Sequence, residues 1–421
     1  MKIVENIACT VCGCVCDDLK IHVEENGVSD VQNVCGLAQP WFLQEGKTQP
    51  PIASIHGKET SFQKAVDESV KLIQASDAPL IYGLSRSSTD GQRSAIALAE
   101  KIGATIDTTA SLCHAPSIMA LQEVGEVTCT LGEVKNRADL VIFWGVDPVK
   151  THPRHMERYS IFPKGRFIPH GRKDRTMVVV DAKATQTSAM ADLSIMVEPG
   201  RDFEMLVILR NLVLGLPIPA EYQAGMPMEL LGDLANRMKS CRFGVVFFGL
   251  GLSMTGGGQH NVEALLMLVR DMNRFTRFCA RPMRILGDVT GADKVLAWQT
   301  GYPFSVNFSR GFPRYNPGEF SAQAMLERGD VDLCLFVGSE GTERFSEKAW
   351  ARLKQIPIIT LDYPSVCTRV PAKVRFTTAI YGIHRPGTAY RMDGVPIVLR
   401  QFLHSNYPSD EETLDSIINR L

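Results

Sequence analysis

The sequence has almost no excess charge, no long apolar run and no secretory leader. Lys and Arg number 45 against 46 Asp and Glu, a formal net charge of −1, so neither nucleic acid nor an anionic membrane surface is an expected partner. The longest apolar runs, such as 243–250, are far shorter than the roughly 18 residues of a membrane-spanning helix. Residues 1–9 lack the basic and apolar regions of a signal peptide. We therefore expect a soluble, cytoplasmic protein.

Cysteine is plentiful near the start of the chain. Cys9, Cys12, Cys16 and Cys35 follow the pattern C-x2-C-x3-C-x18-C and supply four thiolates, three of them on one tight loop. This arrangement suits a [4Fe-4S] cluster, because each corner iron takes one soft sulfur ligand. Cys14 is a fifth cysteine in the same stretch. The choice of ligands among Cys12, Cys14 and Cys16 therefore stays open.

Structural zinc is the main alternative for these cysteines. Zinc modules usually present two well-separated cysteine pairs, whereas here three or four cysteines crowd one side. A disulfide framework is disfavoured by the chain's length and by its odd number of cysteines, 11. We predict an iron–sulfur module over residues 1–52, with a β-hairpin over 17–34 that turns at Asn26-Gly27. The cysteines outside the site are expected in the core: Cys129, Cys241, Cys279, Cys334 and Cys367.

Short apolar segments alternate with helical patterns over the rest of the chain. A chain of 421 residues, 45% of them hydrophobic, is long enough for two or three domains. Helical spacing marks 61–75 and 91–103, and the apolar segments are typical of parallel strands covered on both faces. We predict an α/β fold in which a first domain, 53–110 with 275–421, is interrupted by a second, 111–274. The predicted strands are 79–83, 140–144, 177–180, 244–248, 333–337 and 358–361.

The turns that follow these strands are rich in Gly, Asp, Pro and Ser. In open α/β sheets, ligands bind beyond the carboxyl ends of strands, where glycine lets backbone N–H groups approach phosphates. Together these turns suit a large, phosphorylated, nucleotide-like ligand; they lie at 83–85, 145–148, 181–183, 249–251, 338–341 and 362–364. Each turn alone is weak support, because loops of this kind also use these residues for their own geometry.

Whole motifs are more informative than single turns. The run 144–148, Trp-Gly-Val-Asp-Pro, followed by His-Pro-Arg at 152–154, resembles the W-G-x-N-P…H-P-R segment of molybdopterin-dependent oxidoreductases. The run 180–187, with Asp192 and Pro-Gly-Arg-Asp at 199–202, resembles their V-D-P-R-x-T-x-T…A-D…P-G-T-D segment. The departures are Asp147 for Asn, Ala-Lys at 182–183 for Pro-Arg, and Arg201 for Thr. With Cys113-His114 and the loops at 302–305 and 308–318, the chain is most similar to the B-type subunit family of formylmethanofuran dehydrogenases.

The resemblance implies a bis-molybdopterin guanine dinucleotide cofactor carrying molybdenum or tungsten, a choice that the sequence leaves open. It implies domains I–III of a formate dehydrogenase/DMSO reductase-like fold, without the C-terminal β-barrel. Cys113 lies just before a helix predicted from about Pro116, and the resemblance implies that its thiolate is the protein ligand of the metal. A lone cysteine is more often a small hydrophobic residue of the core. His114 would exchange a proton, and Arg284 would clamp CO2 or formate, with Arg281 as a competitor.

Further residues are assigned to cofactor binding by the same resemblance. Lys58 is a candidate bridge between cluster and pterin. The residues expected to bind the pterin dinucleotide are Gly145, Asp147, Pro148, Asp181, Lys183, Thr185, Gly251, Gln259 and His260.

The function implied is that of a catalytic metal subunit that reduces CO2 to formate, the first step of methanogenesis from CO2. Formate would then be condensed with methanofuran in a partner subunit. The implied partners are a subunit with the dinucleotide-binding β-barrel, an amidohydrolase-like subunit, a β-helical subunit, and polyferredoxin or ferredoxin electron donors. Two alternatives remain: a split formate dehydrogenase subunit, and a non-catalytic scaffold subunit of a formyltransferase/hydrolase complex.

Overall fold

A computed structural model describes residues 2–24, 27–366 and 368–421. The chain forms two compact units, Met1–Leu112 with Leu286–Leu421, and Cys113–Ile285. The second unit ends later than the predicted residue 274, because the strand Arg277–Pro282 pairs with Phe243–Phe248 in the sheet of that unit. Cys367 and Asn26, which carried predictions from the sequence, lie outside the described residues.

The N-terminal cysteines lie in loops of a small antiparallel sheet, whose three strands are Lys2–Ile7, Leu19–Glu24 and Gly27–Gln32. The cysteine loop connects the first two strands, and the helix Gln39–Leu43 follows Cys35. This segment was expected to be a separate module over 1–52, but it is part of the first unit. Hydrogen bonds to its loop carbonyls come from far along the chain, from the Gly287 and Met392 amides.

A mixed nine-stranded sheet forms the centre of the first unit. Five neighbouring strands run parallel, and the outer strands on both sides are antiparallel. Their near-continuous apolar sequences follow from burial on both faces. The strands, in their order across the sheet, are Arg314–Tyr315, Val306–Asn307, Thr105–Thr108, Pro79–Gly83, Leu333–Val337, Ile358–Asp362, Val374–Thr377, Ala53–Ile55 and Lys58–Thr60.

Helices cover both faces of this sheet. The helix Phe62–Gln74 begins at Ser61, whose hydroxyl accepts a hydrogen bond from the Lys64 amide, and it buries an apolar stripe. With it on one face pack Thr89–Ile102, Val289–Thr300 and Asp410–Ile418; on the other pack Ala322–Arg328 and Glu347–Leu353. A small hairpin joins Gly387–Tyr390 to Pro396–Leu399.

The second unit is built on a five-stranded parallel sheet. The strands, in their order across it, are Leu193–Met196, Thr176–Asp181, Leu140–Trp144, Phe243–Phe248 and Arg277–Pro282. In order along the chain this is 3-2-1-4-5, so the direction of winding reverses between Leu140–Trp144 and Phe243–Phe248. Such a reversal opens a crevice at the carboxyl ends of those two strands. We call this place the switch point.

The longer helices of the second unit bury the apolar core of this sheet. They are Ala115–Val124, Asp202–Leu214, Met228–Ser240 and Gly258–Met272, whereas Leu131–Arg137 packs against Met156–Ser160. The second unit also has three four-residue α-helices, Pro148–Thr151, Ala220–Gln223 and Leu250–Ser253, and the first unit has one more, Pro317–Phe320. The 3-10 turns are Thr109–Leu112, Gly171–Asp174, Ser188–Met190 and Ser339–Arg344, and Met156–Ser160 is a π-helical turn. Within the described ranges, no helix has the length and apolar character needed to cross a bilayer.

Candidate functional site

Two glycine turns meet at the switch point of the second unit. The Gly251 amide donates a hydrogen bond to the Gly145 carbonyl at 3.0 Å, and the Gly249 amide donates to the Trp144 carbonyl at 3.1 Å. Gly145 has a φ of +58°, and a Cβ there would lie 2.6 Å from the Leu252 nitrogen. A Cβ on Gly251 would lie 2.7 Å from the Gly145 carbonyl oxygen. The absence of a side chain at Gly145 and Gly251 therefore allows the two turns to pack against each other.

Cys113 lies beside the second of these turns. Ser253, at the end of the short helix that follows Gly249, donates a hydrogen bond from its hydroxyl to the Cys113 carbonyl at 3.4 Å. The Cys113 side chain is 2% exposed, and His114 is fully buried at the start of the helix Ala115–Val124. A thiol beside a helix N-terminus is favoured as the thiolate, the form that binds a soft metal. The structure thus places Cys113, Gly145 and Gly251 together.

Two arginines follow one another at the edge strand of this sheet. Arg281 is buried, donates a hydrogen bond to the Thr128 hydroxyl and lies 4.0 Å from Glu126. Burial raises the pKa of Glu126, and the positive charges of Arg281 and Arg284 oppose that rise. Arg284 is only half-buried. Arg281 is therefore the more enclosed of the two, and the assignment of the anion clamp to Arg284 stays a prediction from the sequence.

His152 fixes the backbone of Arg284. Its Nε2 donates a hydrogen bond to the Arg284 carbonyl at 2.8 Å, and burial lowers the pKa of His152 to about 4. The ring is therefore neutral at pH 7. His155 lies one turn further on, and burial lowers its pKa to about 3. The His-Pro-Arg motif pointed to His152, but no local pattern indicated its partner.

The residues expected to bind the nucleotide end of the cofactor stabilise the turns in which they themselves lie. Burial raises the pKa of Asp181, and the nearby charge of Asp147 adds to the rise. Asp147 accepts a hydrogen bond from the Thr187 hydroxyl. Its neighbour Pro148 is buried and begins the short helix Pro148–Thr151. The Thr185 hydroxyl accepts a hydrogen bond from the Ser188 amide at 3.0 Å. The side chain of Lys183 is exposed, and its role in cofactor binding stays a prediction.

Gln259 and His260 differ from their expected role. Gln259 donates to the Glu263 carboxylate at 2.8 Å, and His260 Nδ1 lies 3.1 Å from the other oxygen of the same carboxylate. Both side chains are therefore engaged within their own helix, because positions three and four apart share one face. A cleft of about 490 Å³ lies between Asp202–Leu214 and Gly258–Met272, with His260 in its wall.

The cysteine loop of the first unit folds back on itself. The Cys9 amide donates to the Cys16 carbonyl at 2.7 Å, and the Cys35 carbonyl accepts hydrogen bonds from the start of the following helix. Burial strongly raises the pKa of the Cys9 thiol, and charges on Cys12, Cys16 and Cys35 raise it further. The Cys9 thiol is therefore within electrostatic range of the thiols of Cys12, Cys16 and Cys35.

The structure of the cysteine loop also bears on whether it holds an iron–sulfur cluster or a single metal ion. The Cys14 side chain hydrogen-bonds to Cys12 and lowers the pKa of that thiol, so Cys14 stays a competitor as ligand. Across residues 2–24, 27–366 and 368–421, no group of three or more His, Cys, Asp or Glu side chains is arranged to hold a metal ion. The donor set of Cys9, Cys12, Cys16 and Cys35, all thiols, is that of a [4Fe-4S] cluster, and the cluster stays a prediction from their spacing.

Lys58 does not lie where a bridge to the cluster would need it. The cysteine loop is fastened to Arg86, just after the carboxyl end of Pro79–Gly83. Lys58 begins the outermost strand, Lys58–Thr60, and pairs with Ile55. Ile55 in turn pairs with Val374, the first residue of the next strand across the sheet. Four strands separate the two positions in the sheet, roughly 24 Å at the usual spacing. The expected bridging role of Lys58 is therefore corrected.

Some residues of these sites were missed in the sequence. Glu126 and Ser253 are isolated polar residues, and their partners are distant in the chain. Arg86, which binds the cysteine loop, follows a strand as many surface arginines do. Local sequence carries no signal for any of the three contacts, because each depends on which loops the sheet order brings together.

Similar proteins are known. No family model matches the chain. The B-type subunit of the tungsten-containing formylmethanofuran dehydrogenase 2 of Methanocaldococcus jannaschii is 40% identical over 430 residues, covering 100% of this chain and 99% of that protein. The protein of the same name from Methanococcus maripaludis is 39% identical with the same coverage. The B-type subunit of the formyltransferase/hydrolase complex Fhc of Methylorubrum extorquens is 25% identical over 287 residues, 68% of this chain and 74% of that protein.

Solved structures show a related fold. The crystal structure of the formyltransferase/hydrolase complex from Methylorubrum extorquens, bound to methylofuran, contains a chain with a TM-score of 0.71 and 24% identity, covering 87% of this chain and 98% of that chain. Acetylene hydratase from Pelobacter acetylenicus aligns with a TM-score of 0.73 and 12% identity, covering 99% of this chain and 69% of that chain. At these identities the likeness concerns the fold alone.

The relatives and the α/β fold define a subunit of a multi-subunit oxidoreductase complex. Within that class, the chain belongs to the family of B-type subunits of tungsten-containing formylmethanofuran dehydrogenases. The wider likeness to molybdopterin-dependent oxidoreductases, with their domain layout, stays an expectation from the motifs.

Proposed function

We propose that this chain is the catalytic metal subunit of a formylmethanofuran dehydrogenase, which reduces CO2 to formate at a tungsten or molybdenum bis-molybdopterin guanine dinucleotide centre. A [4Fe-4S] cluster held by Cys9, Cys12, Cys16 and Cys35 would deliver the electrons. The single observation that carries the proposal is the position of Cys113 beside the paired glycine turns at the switch point. Ligands of α/β sheets bind at such places, and Cys113 is a soft ligand there.

The chain's own residues divide the work at this site. The bound metal centre would supply two-electron chemistry between CO2 and formate. Cys113 would hold the metal through its thiolate, and Arg284 would orient the carboxylate through paired hydrogen bonds. His152 would keep the Arg284 backbone in place. His114, adjacent to Cys113 and buried, would exchange the one proton that CO2 takes up, together with two electrons, when it becomes formate.

The proposal also implies partners. A chain of this family belongs to a multi-subunit complex, as its relatives' names and the Fhc structure support. We propose a β-barrel subunit that covers the dinucleotide, an amidohydrolase-like subunit that joins formate to methanofuran, a β-helical subunit, and ferredoxin-type electron donors.

The first test is the metal content and turnover of the anaerobically purified complex. We expect about one tungsten or molybdenum per copy of this chain and iron in excess of about four. Cys113→Ala should abolish CO2/formate turnover and leave the iron content unchanged. Cys241→Ala is the matched control, because this half-buried thiol precedes the strand Phe243–Phe248, at the opposite end of the sheet from the switch point. Full turnover in Cys113→Ala would contradict the proposal.

A non-catalytic scaffold is the second candidate, favoured by the similarity to the Fhc protein. In that case the complex would contain neither tungsten nor molybdenum, and Cys113→Ala would leave its formyl transfer unchanged. A split formate dehydrogenase would hold the metal but oxidise formate without formylating methanofuran. The same purified complex, assayed with both substrates, separates the three functions.

A further inference from the structure

Arg86 is the cation that holds the cysteine loop in the first unit. Its side chain is only 12% exposed. Nη1 donates to the Thr10 carbonyl at 2.6 Å and lies 3.5 Å from the Val11 carbonyl. Thr10 and Val11 are the two residues between Cys9 and Cys12. The guanidinium therefore binds the backbone between two of the expected cluster ligands.

The peptide that Arg86 binds also contacts a ligand sulfur. A trans peptide points its carbonyl and its N–H in opposite directions. The Thr10 carbonyl faces Arg86, and the N–H of the same peptide, from Val11, is hydrogen-bonded to the Cys9 thiol. A cation on the carbonyl polarises the peptide and strengthens its N–H as a donor. Arg86 thus affects the Cys9 thiol in two ways: through its own positive charge, and through the peptide between Thr10 and Val11.

A counter-ion limits this charge. Arg86 Nε donates to the Glu340 carboxylate, which also accepts a hydrogen bond from the Tyr363 hydroxyl. The guanidinium also lies over the Trp41 ring, 4.9 Å from its centroid. Glu340 is 26% exposed, so solvent reaches the acidic side of the pair more than the Arg86 side. These contacts hold the guanidinium in one position against the loop.

We propose that Arg86 sets the reduction potential of the cluster bound by Cys9, Cys12, Cys16 and Cys35, and that Glu340 moderates its effect. The inference rests on the proposed function, since it requires that cluster. Reduction adds one electron and one negative charge, which a buried cation and an N–H donor to sulfur both stabilise. Net charge and hydrogen bonds to sulfur are among the factors that determine cluster potentials.

Two substitutions of opposite charge effect test the inference. The full chain is reconstituted anaerobically with iron and sulfide and titrated with dithionite, and the reduced cluster is followed by electron paramagnetic resonance. Arg86→Met should shift the midpoint potential to a more negative value, because it leaves the Glu340 carboxylate without its cation. Glu340→Gln should shift it to a more positive value, because it leaves the guanidinium without its counter-ion. Arg86→Lys should restore part of the potential lost in Arg86→Met.

The opposite signs distinguish electrostatics from a loosened loop. A purely structural role would move both variants in the same direction, and that result, or no shift in either, would overturn the inference. If Arg86→Met does not retain its cluster, Glu340→Gln still decides through the sign of its shift. Arg352→Met is the control, because Arg352 bonds to the Val331 carbonyl just before Leu333–Val337, at the amino ends of the parallel strands, whereas Arg86 follows a carboxyl end. Absence of iron would overturn the proposed function as well, whereas iron with unmoved potentials would overturn only the role of Arg86.

Discussion

The indole of Trp144 donates a hydrogen bond from Nε1 to the Asp202 carboxylate at 2.8 Å, across 58 positions of the chain. Trp144 ends the central strand of the second unit, and Asp202 begins the helix Asp202–Leu214. Both side chains are buried. Burial raises the pKa of Asp202, and the indole opposes that rise. The two motifs that suggested a pterin enzyme are thus joined by one buried bond.

Trp144→Phe should destabilise the complex without changing its metal content. Phenylalanine keeps one aromatic ring but is smaller than the indole and has no N–H. The buried carboxylate of Asp202 loses its donor, which alone costs about 1–3 kcal/mol, and the cavity left by the smaller ring adds to the loss. Chemical denaturation of the variant and the native complex measures the loss. Trp298→Phe is the control, because Trp298 is 60% exposed and its loss should be small. Equal midpoints for both variants would contradict a stabilising role for the bond.

Gly145→Ala should disrupt the switch point. The residue has a φ of +58°, and its new Cβ would lie 2.7 Å from the Gly251 carbonyl carbon, so we expect a loss of about 2–4 kcal/mol. Gly232→Ala is the matched control, since no atom lies within 4 Å of its Cβ position and it sits inside the helix Met228–Ser240. That variant should be as stable as the native protein or slightly more stable. Thermal melts distinguish the two.

Arg284 and Arg281 should respond differently to substitution by glutamine. Arg284→Gln should raise KM for formate at least about tenfold with little change in melting temperature, because a lost charge-assisted bond is worth about 1.5–3 kcal/mol. Arg281→Gln should lower stability, since the buried Glu126 loses the cation that lies 4.0 Å away. Steady-state kinetics and melting curves of both variants check the split. A larger KM change in Arg281→Gln would reverse the assignment.

Acid should destabilise the second unit through His155. The ring packs against Phe247, with centroids 4.6 Å apart, and burial holds its pKa near 3. An unfolded chain binds the proton at about pH 6.5, so stability falls as pH decreases from that value towards 3. His155→Phe should flatten this decline. Denaturant midpoints measured between pH 7 and 4 test it, with the exposed His170→Phe as a control that keeps the native slope.

Much of the local structure was predictable from sequence. The apolar runs at 140–144, 333–337 and 358–361 became strands within one residue of their expected ends. Ser61 was followed by the expected helix because its hydroxyl caps the first turn. The strand Arg277–Pro282 was not predicted, because its charged ends and Pro interrupt the apolar pattern. This omission placed the boundary of the second unit too early.

The candidate site was only partly predictable, for a related reason. Cys113, Gly145 and Gly251 were chosen from motifs, but no motif distinguishes Arg281 from Arg284, and the charges of both act on the buried Glu126. Lys58 was misplaced because the number of strands between it and the cysteine loop is a property of the sheet order. Gln259 and His260 were assigned to a ligand, although both engage Glu263 four and three residues away.

The sequence by itself determined the α/β elements, the four-cysteine pattern and the family resemblance, because periodicity, turn residues and motif spacing are local properties of the chain. Only the tertiary structure decided that the turns at Gly145 and Gly251 touch, that Arg86 reaches the Thr10 carbonyl, and that Lys58 does not reach the cysteine loop. These relationships depend on the order in which strands pair across each sheet. That order follows from burying apolar faces far apart in the chain, which no short pattern encodes.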